Sequence, residues 1–490
     1  MKLSVLCSAA GVSPATKDPV DDVTVTGFAI DNRKVAPGTI FGAFRGARFN
    51  GEDFIPAAIQ AGAVAIVAHP DAVVEGALHF ADPEPRRLFA RLAAPFFAPV
   101  PETLVAVTGT NGKTSTVELT RQLWRMGGHR AASIGTLGVT TSDETVSTGL
   151  TTPDIATFLA NLAGLAREGV THVAYEASSH GLSQFRIEGP QVAAGAFTNL
   201  SRDHLDYHAT MDEYFAAKMR LFDEVVAEGG TAVVWADDAW SDKAMEHARL
   251  RGLRLFTVGE KGADIRLVGR TPSGLGQKLE IEHAGRARII DLPLIGAYQA
   301  ANALVAAGLV LATGGDVDAT FDAMKRLVTV RGRIERAAIT PAGAPVYVDY
   351  AHTPDALEAA MAALRPHVSG RLIVVFGAGG DRDQGKRPEM GRVADEGADL
   401  AIVTDDNPRG EDPAAIRAMV LAGMGPAARE VGDRRKAIGL AVAEAGAGDI
   451  VLIAGKGHEQ GQIIGSGDNV RVLPFDDVTV AREMAGSLGR

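Results

Sequence analysis

The chain has 490 residues, 46% hydrophobic and 22% charged, and its 60 acidic against 49 basic side chains leave it at −11. That length and composition suit roughly three domains with full hydrophobic cores and exclude wholesale disorder. The acidic balance excludes a nucleic-acid binder of the usual basic kind, so any phosphate the protein holds must be held by local loops. A single cysteine, Cys7, cannot close an intramolecular disulfide, which points to a reducing cytoplasm. The opening Met1 to Cys7 reads as the first strand or helix, not as a secretory leader. No apolar run approaches the ~18 residues of a membrane span.

Three blocks follow in chain order: residues 1–98, 99–336 and 337–490. The first mixes strand-like runs such as Val23 to Ile30 with a helix-then-strand stretch, Ile55 to Val67. It closes on the proline-spaced Pro95 to Pro101, which is expected to interrupt any helix or central strand. The second block opens at the strand Leu104 to Val107 and alternates strand and helix patterns, implying a parallel sheet with helices on both faces. In the third block four runs read as buried parallel strands: Val346 to Val348, Leu372 to Phe376, Leu400 to Val403 and Ile450 to Ile453. Each is followed at once by a polar cluster. These are Asp349 to His352, Gly377 to Asp383, Asp405 to Arg409 and Gly455 to Glu459. Ligands bind outside the carboxyl ends of such strands, so the four clusters are expected to share one crevice.

The sharpest motif is Thr108-Gly-Thr-Asn-Gly-Lys-Thr-Ser115, between a strand and a helical pattern carrying Val117, Leu119 and Leu123. Its glycines let backbone N–H groups wrap a phosphate chain, Lys113 supplies a point charge to the β/γ oxygens, and the Thr114 hydroxyl can reach Mg²⁺. A second run, Gly380 to Lys386, has the right loop spacing but places Arg387 where the hydroxyl belongs and puts Asp381 and Asp383 in the loop. It is rejected as a phosphate loop, because those carboxylates repel phosphate. The strand-like run 170–176 delivers Glu176, an oxygen ligand suited to a hard cation, and a further polar cluster, Thr198 to His208, follows the strand-like Ala193 to Phe197.

The phosphate loop, Thr151-Thr-Pro153, Glu176 to His180, Asn199 to His204, Tyr214 to Lys218, Asn302, Gly332-Arg333, Asp349 to His352 and Asp406 to Arg409 together resemble the Mur ligases of peptidoglycan synthesis. The resemblance implies an α/β protein of three domains: a smaller N-terminal α/β domain for the UDP-sugar, a central P-loop parallel-sheet ATPase domain and a C-terminal Rossmann-like domain that closes over it. It further implies ATP-dependent amide synthesis through an acyl phosphate, adding meso-diaminopimelate to the D-glutamyl carboxylate of UDP-N-acetylmuramoyl-L-alanyl-D-glutamate. A carboxylate is a poor acceptor for an amine because oxide is its leaving group, and phosphorylation removes that obstacle.

By the same resemblance ATP is held by Gly109, Thr110, Asn111, Gly112, Lys113, Thr114, Ser115, Asn302, Arg333 and Asp349. Two Mg²⁺ ions are implied, at Thr114, Glu176 and His204, with Lys218 bearing a carbamate that helps position one of them. Lys113, Glu176, His204 and Lys218 form the implied catalytic set. The muramoyl dipeptide is assigned to Ile30, Asn32, Thr151, Thr152, Ser178, Gln184 and Arg186, although Asn32 stands where the family usually has serine. Tyr298-Gln299 likewise replaces the usual Phe-Asn. Diaminopimelate is assigned to Arg382, Asp406, Asn407, Pro408, Arg409, Gly455 and Glu459. It differs from lysine by one carboxylate, and an arginine fork reads a carboxylate with two parallel bonds, which makes Arg409 the discriminator. Small-molecule partners, a monomer and a cytoplasmic site are expected, with neither nucleic acid nor membrane involved. The competing readings are a lysine-adding relative, a folylpolyglutamate-synthase-like ligase, and a non-ligase P-loop NTPase, which would leave the third-block clusters without a role.

Overall fold

The computed structural model describes residues 1–13, 23–46, 49–146, 149–203 and 207–488. They form two compact units, residues 1–266 with 302–323, and residues 267–301 with 324–490.

The first unit contains a small sheet and most of a large one. In the small sheet Gly27–Ala29, Thr39–Gly42, Ala63–Ala68 and Leu78–Ala81 lie side by side in chain order, all parallel. The opening segment is a helix, Leu3–Ala10, burying Leu3, Leu6, Cys7 and Ala10. That i, i+3, i+4, i+7 stripe is the apolar face of a helix, and Gly11 ends it in the left-handed region at φ 64°. Helix Pro85–Phe96 buries Leu88, Phe89 and Leu92. Phe89 meets Phe28 and Phe44 edge-on, with ring centroids 5.4 and 5.5 Å away. Pro95 corrects one expectation: it lies inside this helix. The helix stops one residue later, so the bond that proline forfeits falls in the last turn, where helices fray anyway.

In the large sheet the parallel strands run Arg254–Gly259, Val226–Trp235, Val192–Phe197, Thr103–Thr108, His172–Glu176, Ala131–Gly135, after which Gly138–Thr140 turns back antiparallel. The earliest strand in the sequence, Thr103–Thr108, sits between the third and fourth parallel strands. Strand order therefore reverses beside it, which opens a crevice at its carboxyl end. Register places Val107 opposite Glu176 and Thr108 opposite Phe197, so the phosphate loop, Glu176 and the 198–203 cluster emerge together.

The second unit departs from the alternating pattern expected up to residue 336. Gly276–His283 and Arg286–Leu292 form an antiparallel ladder, closed by Ala284 and Gly285 at φ 49° and 73°. A two-residue turn with both φ positive can join only antiparallel strands, and no helix intervenes to make a parallel crossover. Its main sheet runs Glu335–Ile339, Pro345–Asp349, Ile450–Ala454, Leu372–Phe376, Leu400–Val403, Arg429–Glu430, parallel except for the first pair. The four strands read from the sequence are its centre. They are buried on both faces, Leu372–Phe376 completely.

Behind this sheet Arg434, buried, grips buried Asp477 through Nη2 at 2.6 Å and Nε at 2.8 Å, with Nη2 also 3.0 Å from the Ala454 carbonyl. Removing one partner strands a charge in low dielectric, whereas replacing both with apolar groups is often close to neutral. Arg434→Met should therefore cost about 3–5 kcal/mol in urea unfolding, and Arg434→Met/Asp477→Leu should recover most of it. A single substitution as mild as the double one would mean that the pair is solvated in solution.

Candidate functional site

Two groups of polar residues lie at strand ends, one in each unit. In the first unit Gly109 and Gly112 have φ 147° and 86°. A Cβ on Gly109 would fall 1.9 Å from Thr198 Oγ1, and one on Gly112 would fall 2.3 Å from Asn302 Oδ1. Both positions thus demand glycine for conformation and for space. The loop is cross-braced to the neighbouring strand end: Asn111 N donates to Asn199 Oδ1 at 2.9 Å, and Thr198 Oγ1 to the Asn111 carbonyl at 2.7 Å. Thr110 Oγ1 accepts from Ser201 N at 3.0 Å. Lys113 opens helix Lys113–Met126 and donates to the carbonyls of Gly109 and Thr110 at 2.9 and 2.8 Å. Ser115 is buried in the first turn of that helix.

Thr114 Oγ1 donates to Glu176 Oε1 at 3.0 Å, and the same oxygen accepts from Thr136 N at 2.7 Å. A hydroxyl and a carboxylate beside a phosphate loop are a hard-oxygen set, which fits Mg²⁺. Among the described residues no group of three or more His, Cys, Asp or Glu forms a ready cation cage. His204 lies outside the described residues.

Lys218, on helix Met211–Arg220, is 1% exposed, donates to the Gly109 carbonyl at 2.8 Å and sits 4.3 Å from the centroid of the Tyr214 ring. Burial, aided by the Lys113 ammonium, pushes its pKa well below the usual lysine value, although Asp203 opposes the shift. The shift moves its equilibrium toward the neutral amine.

Next to Glu176, Thr152 Oγ1 donates to the Glu176 carbonyl at 3.0 Å and pairs with Ser178 Oγ at 2.9 Å. Thr151 joins through Thr136 Oγ1 at 3.1 Å. Arg186 donates Nη1 to the Thr152 carbonyl at 3.0 Å, while Nη2 and Nε reach Gln184 Oε1 at 2.7 and 3.1 Å. Thr151, Thr152, Ser178, Gln184 and Arg186 thus come together. Ile30 follows the first strand of the small sheet and Asn32 opens the short helical turn after it, and no hydrogen bond among the described residues ties them to this group. Phe185 was not read from the sequence. It is a non-glycine at φ 54°, its ring 4.0 Å from the Arg220 guanidinium and 5.6 Å from that of Arg87.

The second unit gathers all four third-block clusters at one sheet edge. Asp349, buried, accepts from Ile334 N and Ala351 N at 2.7 and 2.8 Å. Burial raises its pKa against the pull of Arg333. The residues that replace Phe-Asn both serve this corner. Tyr298 Oη donates to Asp349 Oδ2 at 3.5 Å, and Gln299 Nε2 to the Arg333 carbonyl at 3.1 Å. Arg333 lies 4.6 Å from the Tyr350 ring centroid. Burial, with Glu459 nearby, pushes the Tyr350 phenol up to about 12.

Arg409 adopts φ 51°, its N donating to the Ile463 carbonyl at 3.1 Å and its carbonyl accepting from Gly465 N at 2.7 Å. Nη1 donates to the Gly380 carbonyl at 2.8 Å. Its guanidinium forms no ion pair among the described residues, although Asp406, Glu459 and Asp381 share its field. The Asp406 carboxylate, buried, faces Gly455, where an added Cβ would meet Oδ2 at 2.5 Å. Asn407 Nδ2 donates to Glu459 Oε2 at 2.7 Å. Pro408 is buried with its carbonyl against Gly380, and Arg382 is exposed, bonded at 3.3 Å to the Asp381 carbonyl. Lys456, missed in the sequence although it sits inside Gly455 to Glu459, is fully buried and reaches Asn407 Oδ1 at 2.8 Å. Just after the run Gly380 to Lys386, Arg387, fully buried, forks onto Glu411 at 2.7 and 2.8 Å and donates to the Gly379 carbonyl at 3.2 Å.

Family models match along the chain: Mur ligase family, catalytic domain, over residues 24–91; Mur ligase middle domain over 107–310; and Mur ligase, glutamate ligase domain, over 332–457. The chain is 60% identical over 482 residues, 98% of each chain, to the UDP-N-acetylmuramoyl-L-alanyl-D-glutamate–2,6-diaminopimelate ligase of Zymomonas mobilis. It is 51% identical to the ligase of the same name from Bradyrhizobium diazoefficiens, over 95% of this chain and 96% of that one. A solved structure of a UDP-N-acetylmuramoyl-L-alanyl-D-glutamate–2,6-diaminopimelate ligase superposes with a TM-score of 0.72 at 33% identity, covering 99% of both chains.

Gly112→Ala tests the phosphate loop. A methyl at 2.3 Å from Asn302 Oδ1 and at φ 86° must displace the loop. Calorimetric titration should show nucleotide affinity down by at least about tenfold, with stability lower by only about 1–3 kcal/mol. Unchanged affinity would mean that the loop does not carry the phosphates.

Proposed function

The chain belongs to the Mur ligase family, and we propose that it adds meso-diaminopimelate to the D-glutamyl carboxylate of UDP-N-acetylmuramoyl-L-alanyl-D-glutamate, using ATP. The observation that carries this reading is the half-buried Arg409, a guanidinium without a carboxylate partner among the described residues, in one crevice with Asp406, Asn407 and Glu459. Such a crevice suits an amino acid that brings an extra carboxylate, because a cation left unpaired there is costly until an anion arrives.

We divide the work among 1–98 for the UDP-sugar, 99–336 for ATP and 337–490 for the amino acid. The γ-carboxylate of the D-glutamyl residue attacks the γ-phosphorus of ATP, giving an acyl phosphate and ADP. The neutral amine of diaminopimelate then adds to the acyl carbon, and the tetrahedral intermediate expels phosphate as the amide forms and the nitrogen loses its proton. Lys113 and the loop 109–115 hold the phosphates, and Asn302, Arg333 and Asp349 are assigned to the rest of the nucleotide. Arg186 and Gln184, with Thr151, Thr152 and Ser178, hold the dipeptide; Ile30 and Asn32 are assigned to the uridine side. Arg382, Pro408, Arg409, Asn407, Asp406, Gly455 and Glu459 hold diaminopimelate. Alignment and charge neutralisation supply the rate.

Mg²⁺, when bound, would neutralise the transferring phosphoryl group. Thr114 and Glu176 would hold it, with His204 and a carbamate on Lys218 completing two sites. The downward shift of the Lys218 pKa supports carbamylation, since only an unprotonated lysine takes up carbon dioxide. We place the enzyme in the cytoplasm as a monomer, with every assigned group supplied by one chain. No helix among the described residues is long and apolar enough to cross a membrane.

Phosphate release should require ATP, the muramoyl dipeptide and meso-diaminopimelate together. A preference for L-lysine would replace this reading with the lysine-adding one, and release without any amino acid would favour a plain NTPase. Arg409→Ala should lose at least about a hundredfold in kcat/KM for diaminopimelate, roughly 3 kcal/mol, with ATP affinity intact; equal loss of both would remove its assigned role. Labelled ¹³C-bicarbonate should give a carbamate resonance that disappears in Lys218→Ala, and a spectrum without one would leave Lys218 as a plain amine.

A further inference from the structure

Lys456 is the fully buried cation of the amine crevice. Its Nζ donates to Asn407 Oδ1 at 2.8 Å and lies 3.4 Å from Glu459 Oε2. Ile463 N donates to the same Asn407 oxygen at 2.9 Å. An amide oxygen has two lone pairs, and here both are taken by groups that can only donate. The amide is therefore fixed in one of its two orientations, with Nδ2 toward Glu459, whose Oε2 accepts at 2.7 Å.

Two consequences follow for a ligand. Asn407 keeps one N–H and no free carbonyl lone pair, so it can only donate. Glu459 has Oε2 engaged by two donors and keeps Oε1 without a partner among the described residues. A lone donor and a lone acceptor side by side match the carboxylate and ammonium of an amino-acid head group. Were the amide turned over, its oxygen would face the Glu459 carboxylate and the pattern would be lost.

Resting on the diaminopimelate-adding reading above, we propose that Lys456 is a positioning residue that sets amino-acid specificity: it locks Asn407 as a donor and Glu459 as an acceptor without touching the ligand. A buried lysine kept only for packing would contribute to stability alike with or without substrate.

The test compares Lys456→Met, close in length but unable to donate, with Lys456→Gln, which keeps an N–H for Asn407. In the full-length enzyme Lys456→Met should raise the KM for meso-diaminopimelate at least about 30-fold, roughly 2 kcal/mol, with KM for ATP and muramoyl dipeptide within about twofold. Its preference for diaminopimelate over L-lysine should shrink, and Lys456→Gln should recover much of the loss. A double-mutant cycle with Asn407→Ala should be strongly non-additive. Overturning results are an unchanged diaminopimelate KM, KM values for all three substrates rising together with a fall in melting temperature, or additive effects in the cycle. If Lys456→Met does not fold, Lys456→Ala, which likewise cannot donate, replaces it: a selective rise in the diaminopimelate KM supports the proposal, and wild-type behaviour rejects it. A parent enzyme inactive with diaminopimelate would defeat the function reading itself, whereas an active parent with silent Lys456 variants defeats only this inference.

Discussion

Strands buried on both faces have nowhere to place a polar side chain except at their ends, and that constraint sets the position of the phosphate loop, Glu176 and the four third-block clusters. In Leu372–Phe376 and Ile450–Ala454 every residue is buried, and the first polar groups come only in the loops that follow. Parallel pairing then makes those ends coincide. Register holds Val107 against Glu176 and Asp349 against Ala454, so residues distant in sequence leave their sheets at one level. The chemistry is gathered by the geometry of the ladder, not by local sequence.

Within these crevices buried cations take two distinct forms. Arg387, Arg434 and Lys456 are each fully or almost fully buried, and each has a carboxylate within salt-bridge distance: Glu411, Asp477 and Glu459. Their charges are compensated where they sit, and they act as struts. Lys218 is as deeply buried, yet its contacts among the described residues are a backbone carbonyl and an aromatic ring. Neither is a carboxylate, and although Asp203 opposes it, burial lowers the lysine's pKa well below its usual value.

The sequence was most informative where signal is local. The phosphate loop lies between a strand and a helix, and the four third-block strands are apolar runs closed by polar clusters, all within windows of a dozen residues. It was least informative where the meaning lies in long-range pairing. Lys456 matters because it meets Asn407, 49 positions away, and nothing in Gly-Lys-Gly-His-Glu announces that. The ladder formed by Gly276–His283 and Arg286–Leu292 was hidden because its two-residue turn, Ala-Gly, lacks the asparagine or aspartate that usually marks such a hairpin. Phe185 carries no local mark of its strain, because a residue's φ is set by its fold.

Backbone strain coincides with several of the assigned arginines more sharply than composition does. Of the non-glycine residues at positive φ among the described residues, Ala284 serves the hairpin, and the others are Phe185, Ile334, Asp381 and Arg409. Phe185 precedes Arg186, Ile334 follows Arg333, Asp381 precedes Arg382, and Arg409 is itself an assigned arginine. A left-handed residue costs of order 1–3 kcal/mol and persists only where surrounding contacts over-determine it. Those contacts are present: two guanidinium groups flank the Phe185 ring, Ile334 N is tied to Asp349, Asp381 N to Glu411, and Arg409 to Ile463 and Gly465. The left-handed residue reverses the chain locally and so turns the adjacent long side chain away from the path its strand or loop would give it. An arginine on a relaxed loop would lose rotamer freedom on meeting an anion; one aimed by a strained backbone has lost much of it during folding. The strain lowers the stability of the protein and fixes the backbone beside each of these arginines.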